Sequence, residues 1–189
     1  MRIITGKLKG RNVPIPNTGL LRPTSDRTKE GLFSVIDART YFDRTRVLDL
    51  FAGSGNLGFE ALSRGSEYCL FVDSEPGHTK MIEKTASQFG VSDKISILTA
   101  DVEQFLEKTY GQFDIIFADP PYDYYMMAEM IDVVLQNNWL TENGWFVLEH
   151  DKRHNFSDHD HCVFTKPYGR TIVSIFKLNS VDFRKFPAF

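Results

Sequence analysis

Cysteine is almost missing from this chain of 189 residues: only Cys69 and Cys162 occur, each in an apolar stretch. Two such thiols build no disulfide framework, so both are expected as reduced core residues, which suits the cytoplasm. Long hydrophobic runs are missing as well. No stretch approaches the roughly 18 apolar residues that a membrane-spanning helix needs. The opening MRIITGKLKGRNVPIP has neither an apolar h-region nor a small-residue cleavage site, and is not expected to be a signal peptide. Internal repeats and low-complexity segments are lacking too. Metal-ligand spacing is also wanting. His150, His154, His159 and His161 match no common zinc pattern, and Asp151, Lys152, Arg153, Asp158 and Asp160 mark their segment as a solvated loop, so no metal is expected. What is present is a hydrophobic share of 42% with 16 phenylalanines, enough to build the core of one domain.

The formal net charge of −3 conceals an asymmetry. Within residues 1–30, Arg2, Lys7, Lys9, Arg11, Arg22, Arg27 and Lys29 face only Asp26 and Glu30, whereas acidic groups outnumber basic ones in the remainder. A basic arm on an acidic body can grip a polyanion at one end, although a solvated basic edge has the same composition.

Arg2-Ile3-Ile4 and Asn12-Val13-Pro14-Ile15, with glycine turns between them, predict a short strand pair. Thr24, Ser25 or Asp26 can cap a following helix whose apolar face is Leu32, Phe33 and Ile36. Strands and helices then alternate to about residue 150. Strands are predicted at 47–51, 68–72, 95–98, 113–118 and 145–149. Helices are predicted at 57–64, 79–89, 102–109 and 126–136. Such alternation implies a parallel sheet covered on both faces. Residues 162–164 and 171–176, joined through Pro167-Tyr168-Gly169, predict a closing antiparallel hairpin. The expected organisation is a basic β-hairpin arm over 1–22, a main α/β domain over 23–180 and a tail over 181–189.

In DLFAGSGNLG, Gly53, Gly55 and Gly58 stand at G-x-G-x-x-G spacing between a strand and a helix. Glycines there permit a tight turn and close approach of a ligand to the backbone. The spacing alone admits NAD, FAD, S-adenosylmethionine or a turn made only for packing. Asp73, twenty residues beyond Gly53, can accept both hydroxyls of a ribose. Asp49 lies inside the first strand, where a carboxylate suits the ammonium of a methionine moiety and repels a pyrophosphate. Together with the closing hairpin, this favours S-adenosylmethionine. Asp101, after the third strand, can accept from an adenine amino group, cap the next helix, or do both.

The fourth strand ends in ADPPYD, residues 118–123. An exocyclic amine on a planar base is a poor nucleophile, because its lone pair is delocalised into the ring. Acceptors on its two N–H bonds, the Asp119 carboxylate and the Pro120 carbonyl, would draw the nitrogen toward sp³ geometry. Pro121 stiffens the turn, Tyr122 offers a stacking face, and Asp123 is a candidate helix cap. Alignment and electrostatics carry such a reaction, with no covalent intermediate and no metal.

D-P-P-Y preceded by F-A-G-S-G resembles the amino-methyltransferases of nucleic acid bases. MRIITGKLKGR, RPTSDRTKEGLFSVI, LDLFAGSGNLGFEALSRG, FDIIFADPPY and the late Tyr168-Gly169 together resemble the bacterial RsmD family of 16S rRNA guanine-N2 methyltransferases, over nearly the whole chain to about Leu178. The resemblance implies a Rossmann-like methyltransferase sheet with S-adenosylmethionine at Gly53, Ser54, Gly55, Asp73 and Asp101, and a cofactor-contacting segment around Thr24 and Arg27. It implies catalysis by Asp119, Pro120 and Tyr122, with S-adenosylhomocysteine as product. It also implies that the N-terminal hairpin touches 16S rRNA or the assembling small subunit, which makes Arg2, Lys7, Lys9, Arg11 and Arg22 the expected RNA contacts. A cytoplasmic monomer is expected. Asn56 and Phe59 stand where small or aliphatic residues are usual, Asp73 stands where glutamate is commoner, and the helix after Asp73 is given no binding role. Three other readings compete: a DNA adenine or cytosine amino-methyltransferase, a protein amide methyltransferase and a non-catalytic sensor. The missing target-recognition domain, the aspartate of D-P-P-Y in place of asparagine, and the intact acid–aromatic pair count against them in turn.

Overall fold

The computed structural model describes residues 1–15, 26–108 and 110–179, with the backbone alone for Asp26 and Arg27. Seven strands form one sheet in the order β3-β2-β1-β4-β5-β7-β6. They are β1 (Arg46–Leu50), β2 (Tyr68–Asp73), β3 (Ile95–Thr99), β4 (Phe113–Ala118), β5 (Leu140–His150), β6 (Cys162–Tyr168) and β7 (Thr171–Phe176). The first five run parallel, and β7 joins β5 and β6 antiparallel. The helices are α1 (Asp26–Asp37), α2 (Asn56–Arg64), α3 (Pro76–Phe89), α4 (Val102–Leu106) and α5 (Met127–Gln136).

Strand periodicity sorts the core into two layers, since successive side chains point to opposite faces. Val47, Ile115 and Phe117 pack with Leu32, Phe33 and Ile36 of α1, Phe59 of α2 and Ile82 of α3. Leu48, Leu50 and Ile116 face the other way, toward Phe105 of α4 and Ile131 and Val134 of α5. Cys69 and Cys162 are buried free thiols. Among the described residues, no helix is long and apolar enough to cross a membrane.

Several boundaries differ from expectation. Strand β5 begins at Leu140 rather than at 145, with a register irregularity against β4 between Phe113 and Ile115. Helix α4 stops at Leu106. Helix α3 starts three residues early, because Pro76 suits a first helical position and Glu75 caps it by accepting from the Gly77 N–H. Asp123 does not cap a helix: α5 starts only at Met127, four residues on, and its N-cap Met126 makes no side-chain cap bond.

The N-terminal residues lie against α2. Arg2 and Asn12 form an antiparallel bridge, and Ile3, Leu8 and Val13 are buried. The N–H groups of Ile4 and Thr5 donate to the two Glu60 carboxylate oxygens at 2.8 and 3.1 Å. Those of Lys7 and Leu8 donate to the Ser63 carbonyl and Oγ at 2.8 and 2.9 Å. Gly6 makes this approach possible: at φ +87°, a Cβ there would lie 1.8 Å from the Ser63 carbonyl oxygen.

Candidate active site

Strand order reverses between β1 and β4, so the chain leaves these neighbouring strands toward opposite halves of the sheet. A crevice outside their carboxyl ends is where open α/β sheets bind ligands. Leu50 pairs with Ala118, which brings the glycine turn after β1 beside Asp119 after β4.

Phe51 begins the turn with φ +55°, a left-handed conformation that is uncommon for a bulky residue and typical of functional loops. Gly53 and Gly55 follow at φ +54° and +76°, and Ser54 is buried between them. At Gly58 the reason for glycine is packing. A Cβ there would lie 2.3 Å from the Phe71 ring and 2.7 Å from Cys69 Sγ. Its absence lets α2 lie flat on the sheet, and the Gly58 N–H donates to Asp49 Oδ2 at 2.9 Å.

Asp49 is 2% exposed. Burial pushes its carboxyl well above the usual range, the Gly58 hydrogen bond opposes that, and the charges of Asp119 and Asp73 raise it further. The charges of the acids at the ends of β2 and β4 thus both reach Asp49. Asp73 is held firmly. Its Oδ2 accepts from the Gly53 N–H at 2.7 Å, and its Oδ1 accepts from the Glu75 N–H at 2.9 Å and lies 3.0 Å from His78 Nδ1. Oδ1 thus meets two partners, while among the described residues Oδ2 meets only the Gly53 N–H. Asp101 is the N-cap of α4, with Oδ1 accepting from the Glu103 and Gln104 N–H groups at 2.9 and 3.2 Å.

On the far side of the crevice, Pro120 is buried and Tyr122 is exposed. The Tyr124 ring meets the Phe51 ring edge-on at 5.0 Å, joining the segment after β4 to the start of the glycine turn. Burial, with Glu103 and then Asp101 nearby, raises the Tyr124 hydroxyl pKa. Thr24 and Arg22 lie outside the described residues, as does the Arg27 side chain. Arg2, Lys7, Lys9 and Arg11 are exposed, but Arg11 is engaged on α3, donating to the Gln88 carbonyl at 2.8 Å with its guanidinium 5.4 Å from the Phe89 ring centre.

Sequence reading misses His78 and Lys29. His78 lies in the first turn of α3, the helix to which the sequence assigns no binding role, yet its ring touches Asp73. Lys29 reads in the sequence only as part of the basic arm. It is wholly buried, and its Nζ donates to the Arg2 carbonyl and to Asn56 Oδ1, both at 2.7 Å. The unusual Asn56 thereby acquires a partner. A polar residue opening α2, where small or aliphatic residues are usual, was the available signal.

Asp49 offers a buried anion that a ligand cation would complete, and positive-φ glycines open the backbone beside it. That donor set suits a cation and repels a pyrophosphate. With the strand order, these features define a Rossmann-like methyltransferase fold. The family described as conserved hypothetical protein 95 matches residues 1–177, and the chain belongs to it. "Ribosomal RNA small subunit methyltransferase D" of Haemophilus influenzae is 35% identical over 80% of this chain and 79% of its own. The protein of the same name from Escherichia coli K12 is 30% identical over 79% and 74%. The solved structure of a hypothetical protein from Thermus thermophilus superposes with a TM-score of 0.81 at 27% identity, over 94% of this chain and 99% of that one.

Proposed function

We propose that this protein transfers a methyl group from S-adenosylmethionine to the exocyclic N2 amine of a guanine in 16S rRNA during small-subunit assembly, as a cytoplasmic monomer. The observation that carries the reading is the placement of Asp119, Pro120 and Tyr122 at the end of β4, directly beside the glycine turn of β1. The methyltransferase names of the relatives support the rRNA substrate.

Asp49 receives the cofactor's ammonium, Gly53, Ser54 and Gly55 line its path, and Asp73 accepts from its ribose through Oδ2. Asp101 faces the adenine end from its capping position, and the segment around Thr24 and Arg27 is a further cofactor contact. When bound, the cofactor supplies an electrophilic methyl on a sulfonium. Asp119 and the Pro120 carbonyl each accept one N–H of the amine and turn its lone pair toward that methyl. Tyr122 stacks on the base. Positioning and fixed dipoles provide the acceleration. Arg2, Lys7, Lys9, Arg11 and Arg22 hold the RNA backbone.

The test is the nucleoside released when rRNA methylated by the purified protein is digested. N2-methylguanosine is expected. N6-methyladenosine, or equal labelling of duplex DNA, overturns the reading.

A further inference from the structure

The segment between β5 and β6 carries most of the histidines and plays no part in the reading above. It is rooted in the core. The buried His150 ring places Nε2 2.8 Å from Ser174 Oγ on β7 and Nδ1 3.0 Å from the Asp151 carbonyl. Phe156 packs against His150 and Phe176 with ring centres at 5.1 and 6.2 Å. From this base Asp151 orients one guanidinium. Its Oδ1 accepts from the Arg153 N–H at 2.9 Å, and its Oδ2 accepts from Arg153 Nε at 2.7 Å and lies 2.6 Å from Nη2. That same Nη2 donates to the Tyr122 carbonyl, across to the segment that follows β4.

Two attachments therefore hold the stretch after Asp119. The Tyr124 ring is fixed on Phe51 at one side, and the Tyr122 carbonyl is fixed by Arg153 at the other. The Tyr122 ring itself is 43% exposed. We propose that Arg153, oriented by Asp151, is a positioning residue that sets the angle at which Tyr122 meets the substrate base. This rests on the stacking role given to Tyr122 above. Arginine suits the task because its planar fork engages Asp151 Oδ2 through two nitrogens while still reaching a second oxygen, the Tyr122 carbonyl, which a lysine ammonium does less rigidly. Arg153 is exposed and Asp151 only partly so, and a pair open to solvent on one side adds little to global stability. Its effect is local, where a displacement of about 1 Å can lower a rate up to ~100-fold.

The test compares wild type, Arg153→Ala, Arg153→Lys and Asp151→Ala by steady-state methyl transfer to 16S rRNA and by hydrogen exchange of residues 119–125. For Arg153→Ala, kcat is expected to fall by about 10- to 100-fold, with KM for S-adenosylmethionine unchanged and faster exchange in that segment. Arg153→Lys should recover part of the rate, and Asp151→Ala should shift both readouts in the same direction as Arg153→Ala. Unchanged exchange together with unchanged kcat overturns the proposal. So does a loss confined to RNA affinity with a flatter salt dependence, which would make Arg153 a phosphate contact. If wild type transfers nothing to rRNA, the parent reading fails by itself, while faster exchange in Arg153→Ala still supports the hold on Tyr122.

Discussion

Lys29 and Glu60 form an ion pair with no solvent exposure on either side chain, Nζ standing 3.3 Å from Oε2. Glu60 also accepts from Arg64 Nε at 3.0 Å and from the Ile4 and Thr5 N–H groups. Lys29 donates in addition to the Arg2 carbonyl and to Asn56. One buried pair thus joins the N-terminal residues, α1 and the start of α2. Removing one partner of such a pair strands the other charge, and typically destabilises by about 3–5 kcal/mol. Glu60→Gln is expected to lower stability on that scale in urea unfolding, and Lys29→Met by less, because Glu60 keeps its ion pair with Arg64. The double variant should lose less than the two single losses combined.

Asp49 is expected to trade stability for binding. Its carboxyl pKa is raised in the folded protein, so ionisation favours the unfolded chain. Its contribution is present below the ordinary carboxylate pKa of about 3.9 and is lost as pH rises through the higher folded value. Asp49→Asn should therefore raise the Tm of the cofactor-free protein, by about 1 kcal/mol equivalent. The gain should vanish near pH 4 and be full well above the folded pKa. Calorimetric titration should show weaker S-adenosylmethionine binding by the same variant.

Asp101 separates capping from ligand recognition. Asp101→Ala removes the acceptor for two N–H groups and should cost about 1 kcal/mol, while Asp101→Asn keeps the cap. A matching rise in KM for S-adenosylmethionine in both variants would assign the carboxylate to the cofactor. A rise in the alanine variant alone would assign it to the helix.

Asp119→Ala should lower methyl transfer by at least ~100-fold with cofactor affinity held within a few-fold. Its charge is among those that raise the Asp49 pKa, so its loss eases ionisation of the Asp49 carboxyl, which offsets the nearby negative charge removed from the cation site. Single-turnover rates and equilibrium binding measured on the same preparation check both halves.

The strands were legible because a parallel sheet buried on both faces leaves near-continuous apolar runs: Phe113–Ala118 was bounded to the residue. The early start of β5 was not, because Leu140 pairs with Phe113 ahead of a register break, and Thr141, Glu142, Asn143 and Gly144, which read as a turn, fill that break before Trp145 pairs with Ile115. Asp49, Asp73 and Asp119 stood out as candidates because each acid ends or interrupts an apolar run. Lys29 and Glu60 were not, because a charged residue in a helix reads as solvated until its partner, 31 positions away, is placed beside it. Arg153 was hidden for a similar reason: its acceptor is a main-chain carbonyl, which carries no sequence signature.

The contacts of residues 1–8 with α2 also set an order of events. Their partners Glu60 and Ser63 lie 55 to 58 positions further along the chain. A chain synthesised from its N-terminus must leave those N–H groups to water until α2 has been made and folded. Docking of this segment therefore waits on α2, and the first residues to be made are not the first to be placed.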